Sequence, residues 1–130
     1  MTAAQAKPRP SDEARGYSAL LQNALNFDPE NNPDLETLYA GLDEGRYQLW
    51  PAANSVGVTE IVQHPTERTC HIWLAAGDLA ELQELFQACE RWARHIGCAR
   101  MTIVGRPGWE RTWLRAADFR VKSVTFEKGL

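Results

Sequence analysis

The chain has 130 residues, 44% of them apolar, and a formal charge of −3, which suits one folded domain with a core of its own and is too short for two. No apolar run approaches the ~20 residues needed to cross a bilayer, and no charged-then-apolar targeting segment opens the chain. The mild acidic balance gives no electrostatic reason to expect nucleic acid.

Residues 1–16 begin with MTAAQAKPRPSDEAR, which mixes alanine, proline and scattered charge with no apolar period; a flexible arm is expected there. The domain proper is expected over residues 17–130. Tyr17, Leu20, Leu21 and Leu25 fall at helical spacing. The run from Phe27 to Pro33 breaks that helix. A second helix is expected from Pro33 or Asp34, carrying Leu35, Leu38, Tyr39 and Leu42 and ending at Gly45.

Strand character follows. Tyr47 to Trp50 is short and stops at Pro51, and Val56, Val58 and Val62 alternate on one face. His64 to Thr69 reads as a hairpin loop, and Cys70 to Ala75 as the returning strand. Asp78 to Ile96 is an amphipathic helix closed by Gly97, and Arg100 to Val104 is a buried strand. Gly-Arg-Pro-Gly at 105–108 opens a second helix that ends near Asp118 and Phe119. Helices followed by a meander, and then helix alternating with strand, argue for an α+β fold on a mostly antiparallel sheet.

Three cysteines, Cys70, Cys89 and Cys98, make an odd number and suit free thiols in a reducing compartment. Cys89 and His95 are six apart on a helix and point to different faces, and no CxxC is present, so no metal site is expected. Arg91, Arg94, Arg100, Arg106, Arg111, Arg115 and Arg120 gather in the last third, where they are expected to solvate helix surfaces. Glu60, His64 and His71 lie on or beside the central strands, as a strand-edge carboxylate, a turn histidine and a half-exposed strand histidine. Trp109 and Trp113, spaced i, i+4, are expected on one helical face. Both suit packing on the core, Trp113 above all; together with Arg106 and Glu110 they are also the candidates for anchoring a partner chain, since Trp and Arg dominate interface hot spots.

The run Cys98 to Phe119, CARMTIVGRPGWERTWLRAADF, resembles the C-terminal half of GNAT-family N-acetyltransferases. The resemblance implies a mixed, mostly antiparallel sheet flanked by helices. It also implies an acetyl-CoA site at the loop entering the main helix, where the family carries Gln/Arg-x-x-Gly-x-Gly/Ala. Here that segment is LAAGDLAE, Leu74 to Glu81: Gly77 is the remaining glycine, and Asp78 brings an anion to the place of the phosphates. Near the chain end the family often shows Leu-Tyr-x-x-x-Gly-Phe, whose tyrosine can protonate the departing thiolate. Here Leu114 stands at the tyrosine and Asp118 at the glycine.

A nearer resemblance rests on QLWP (48–51), VTEIVQHP (58–65), HIWLAAGDLAEL (71–82), ERWARHIGC (90–98) and GRPGWER (105–111). These are similar to small phage proteins with a degenerate acetyltransferase-like fold, over residues 34–128. That resemblance implies a non-enzymatic internal virion or assembly protein, found in the bacterial host cytoplasm and the virion. Its partners would be other virion proteins, with self-association as an option, and it would need no cofactor. Two alternatives stand beside it. One is an acetyl-CoA-dependent acetyltransferase with an atypical site around Gly77, Asp78, Arg106 and Gly108. The other is a phage regulator that binds a host factor.

Overall fold

Three helices, a three-strand meander and a helical crossover to a fourth strand make up the computed structural model, which describes residues 8–28, 32–103, 109–117, 119–121 and 128–130. The first helix, α1 (Pro10–Ala14), falls inside the stretch expected as an arm. Its five residues are too few to show a period. They are held by a long-range contact instead: the Ser11 amide and hydroxyl both donate to the Asp43 carboxylate, at 3.0 and 2.7 Å, and Ala14 is fully buried. Residues 1–7 of the expected arm lie outside the described residues.

A 3-10 turn (Arg15–Tyr17) leads into α2 (Ser18–Leu25), and α3 spans Leu35–Asp43. Asp34 caps α3 by accepting the Thr37 amide at 2.8 Å. Gly45, at φ +78°, supplies the left-handed residue after its end. Leu21, Leu38 and Leu42 are fully buried, each stabilising the fold by roughly 1.5–3 kcal/mol.

The strands β1 (Tyr47–Pro51), β2 (Val56–Gln63), β3 (Arg68–Ala76) and β4 (Arg100–Ile103) form one sheet in that order. The first three run antiparallel, and β4 is parallel to β3. A parallel neighbour needs a crossover, which α4 (Leu79–His95) provides. Ile72 pairs with Thr59 and Leu74 with Val58, so Trp73 is an extra residue that bulges β3.

Two cores lie on the two faces of this sheet. One joins α1, α2 and α3 to Val56, Val58, Leu74 and Ala76. The other joins α4 to Ile72 and Leu114, with Trp50, Met101, Trp109 and Trp113 around it. Leu82, Leu85, Phe86, Cys89 and Ala93 form the buried stripe of α4, the spacing that its sequence carries.

The helix expected to open at 105–108 lies there outside the described residues. After β4 the described chain makes a 3-10 turn (Trp109–Arg111) and then α5 (Trp113–Ala116). Trp109 and Trp113 thus do not share one continuous helix. The Thr112 hydroxyl bonds the Trp109 carbonyl at 2.6 Å, a local side-chain bond that competes with helix continuation. Among the described residues no helix is long and apolar enough to cross a membrane.

Candidate functional site

The segment entering α4 is where the sequence points to acyl-CoA, and there the chain turns from β3 to α4 through Gly77 and Asp78 alone. Gly77 has φ +126°, and a Cβ on it would run into Ser55 and the Asn54 carbonyl. Only glycine fits so close an approach. Ser55 is fully buried, and its hydroxyl accepts the Asp78 amide at 2.9 Å.

The Asp78 carboxylate accepts the Glu81 amide at 3.2 Å, which makes it the helix N-cap. Glu81 reaches back to accept the Asn54 amide at 2.9 Å. That bond is the main reason its carboxyl is held below the ordinary value. Two carboxylates therefore occupy the start of α4, and the Asp78 and Glu81 amides are committed to Ser55 and Asp78. A helix start favours one anion; a pyrophosphate arriving here would meet Asp78 and Glu81 already in place. The residues do not fit the phosphates of acetyl-CoA.

The segment after β4 closes on the same place. Trp113 donates its indole N–H to the Leu79 carbonyl at 3.2 Å and stacks edge-on against Phe86, with ring centroids 5.3 Å apart. Leu114, at the position of the family tyrosine, is buried in the second core. A buried leucine there packs and has no proton to give.

A second group of polar residues crosses the sheet on the face of α1, α2 and α3. Tyr47, Glu60, His71 and Thr102 are successive register partners on β1 to β4. His71 Nδ1 lies 2.7 Å from the Thr102 hydroxyl, and the tautomer sets which of them donates. Burial lowers the His71 pKa, with Glu60 pulling the other way. Nearby, Thr69 is buried, and its hydroxyl has no hydrogen-bond partner among the described residues. His64 is an exposed residue after β2.

A groove of about 230 Å³ lies at the other end of α4, lined by Arg94, Cys98, Arg100, Met101 and Phe119 among others. Cys98 is half-buried there, while Cys70 and Cys89 are buried and free. Among the described residues no group of three or more His, Cys, Asp or Glu side chains is arranged to hold a metal.

No protein-family model matches the chain, and no curated protein matches its sequence. Solved structures do match it. The BH1408 protein from Bacillus halodurans, as a tetramutant, superposes with TM-score 0.68 at 12% identity, over 95% of this chain and 98% of that one. A probable acetyltransferase gives 0.69 at 12% identity, over 92% and 91%. A ribosomal-protein-alanine N-acetyltransferase from Brucella melitensis biovar Abortus 2308 gives 0.66 at 9% identity, over 92% and 95%. The chain has a GNAT-like fold. At such identities the likeness concerns the fold, not the chemistry.

Within this GNAT-like frame the sequence-derived candidates separate. Gly77 and Asp78 sit together at the start of α4, and Trp113 reaches the same turn. Trp109 is half-buried against the second core, and Glu110 belongs to the 3-10 turn that Trp109 opens. Arg106 and Gly108 lie outside the described residues. Asn54 and Ser55 were not legible as site residues. They fall between two expected strands with no motif of their own, and the Ser55–Asp78 bond joins positions 23 apart that the β2–β3 pairing brings together. Thr102 was hidden for the same reason.

Proposed function

We propose that this chain is a non-enzymatic protein that uses a GNAT-like scaffold for protein contacts, in the assembly or interior of a phage particle. The observation that supports the non-enzymatic part is the start of α4. Asp78, Glu81, Asn54 and Ser55 satisfy one another where an acyl-CoA enzyme presents bare amides to phosphate. The phage setting rests on the resemblance of the five segments between Gln48 and Arg111.

Titration with acetyl-CoA and with coenzyme A tests this, by calorimetry and thermal shift at concentrations that detect binding weaker than ~100 μM. No saturable heat and no shift are expected. Saturable binding would sink the reading and move attention to an atypical acetyl-CoA site around Gly77, Asp78, Arg106 and Gly108.

One observation favours that second reading of an acetyltransferase. The Glu60, His71 and Thr102 row puts a titratable pair on the central strands, within reach of general-base chemistry. Its mark would be acetyl transfer from acetyl-CoA to an amine that His71→Asn abolishes. A regulator that blocks a host factor would instead appear as a stable complex with a single host protein.

A further inference from the structure

The bulge at Trp73 decides which residues share a face with the first core. Val58 pairs with Leu74, and two residues on, Glu60 pairs with His71. Regular alternation from Leu74 would place Ile72 opposite Glu60. The extra residue re-aims β3 instead, so Ile72 enters the second core and His71 lies on the side of α1, α2 and α3. Val56, Val58, Leu74 and Ala76 belong to the core beneath those helices. Glu60 and His71 come next on the same face, outside that core, and both are half-buried.

His71 Nδ1 is turned to the Thr102 hydroxyl on β4, at 2.7 Å, so the other edge of the ring is turned to β2 and Glu60. Burial holds the ring toward its neutral form, and Nε2 has no hydrogen-bond partner among the described residues. The Glu60 carboxylate has neither a hydrogen bond nor an ion pair among them. The arginines beside this row are already bound. Arg46, just before β1, holds Glu44 at 2.7 Å, and Arg100, two residues before Thr102, holds Glu67 at 2.8 Å. A half-buried carboxylate thus stands beside a free imidazole nitrogen, and neither is engaged by a cation of the chain.

We infer that Glu60 and His71 form the recognition point for an arginine side chain of a partner protein. The two stand on paired strands, about 5 Å apart at the backbone. A guanidinium is planar and carries five N–H donors in a fixed fork. Two of them meet the Glu60 carboxylate side by side, and a third reaches His71 Nε2. Binding selects the tautomer in which Nδ1–H donates to Thr102, so Thr102 orients the ring and leaves Nε2 as the acceptor. A lysine ammonium is a compact point charge without such a fork. The inference rests on the protein-contact reading and names the chemistry of the partner, but the two fail separately. Acetyl-CoA binding would overturn that reading without altering a peptide titration at Glu60.

Capped tripeptides test it: N-acetyl-Gly-Arg-Gly-amide and its lysine and citrulline analogues, titrated into the full chain while amide and imidazole NMR signals are followed. Neutral pH and about 0.15 M salt suppress attraction to exposed charges. The arginine peptide is expected to give saturable shifts at His71 and along β2 and β3, with a Kd of about 1 mM. The lysine peptide should bind about fivefold more weakly, and the uncharged citrulline peptide should give no saturable shift. Glu60→Gln keeps the size of the side chain and removes its charge, and should weaken the arginine peptide by about tenfold. The same spectra show that the variant keeps the parent's fold. Glu36→Gln, at an exposed carboxylate of α3, should change nothing. No saturable shift, shifts confined to the helices, or a Glu60→Gln variant that binds as the parent does would each overturn the inference. So would a preference for the lysine peptide, which would give the row to an amine instead.

Discussion

Replacing Gly77 by alanine tests the tight turn on which the functional argument rests. Two costs add. A φ of +126° is a region that side-chain-bearing residues avoid, at about 1–3 kcal/mol. The new Cβ would also press on Ser55 and on the Asn54 carbonyl, and overpacking of this kind costs about 1–3 kcal/mol. Because much of that contact is backbone, it cannot be relieved by turning a side chain. The expected loss is roughly 3–4 kcal/mol, a large share of the 5–15 kcal/mol that holds a domain of this size together. Gly97→Ala is the control. Its φ is +84°, but a Cβ there meets nothing within 4 Å, so about 1–2 kcal/mol is expected. Urea unfolding followed by tryptophan fluorescence measures both; with a slope of about 1.5–2 kcal/mol/M, the Gly77 variant should unfold about 2 M earlier than the parent. Equal losses for the two variants would refute the close approach of Ser55 to Gly77, and with it the Ser55 bond that engages the Asp78 amide at the start of α4.

Four further outcomes follow from the same coordinates. Thr69→Val removes a buried hydroxyl without a partner and should raise stability by about 1 kcal/mol in the same urea experiment. Trp113→Phe keeps an aromatic ring near Phe86 but loses the bond to the Leu79 carbonyl, for a loss of about 1 kcal/mol. Burial pushes the Cys70 thiol up to about 11 and the Cys89 thiol up as well; a thiol reagent at pH 8 should label Cys98 in the native protein, and the other two only on unfolding. Burial lowers the His71 pKa below its ordinary 6.5, so below that pH the unfolded chain takes up a proton that the folded one refuses. Stability should then fall as pH drops from 6.5 toward the folded value and level off below it, and His71→Asn should flatten that part of the profile.

Much of the fold could be read without coordinates, because its signals are local. Asp34 and Asp78 announce the helices they cap, and Gly45 and Gly97 end them. The apolar stripe of α4 has the helical period, and the three strands of the meander carry alternation and turn residues at their ends. What stayed hidden depends on contacts distant in sequence. The α1 helix is stabilised by Ser11 against Asp43, which no five-residue window reveals. The Trp73 bulge follows from how Val58 and Thr59 pair across to β3, and composition does not encode register.

The candidate site divides in the same way. The sequence alone determined that an aspartate follows the single glycine before α4, and that leucine stands in place of the family tyrosine. Charge and side-chain chemistry belong to residue identity. Only the tertiary structure decided what those residues face. Pairing of β2 with β3 carries Asn54 and Ser55 to Gly77 and Asp78, and the crossover to β4 returns Trp113 to the first turn of α4. Side chains alternate across a strand, so which residues share a site is set by how the strands pair, a contact between positions far apart in the sequence.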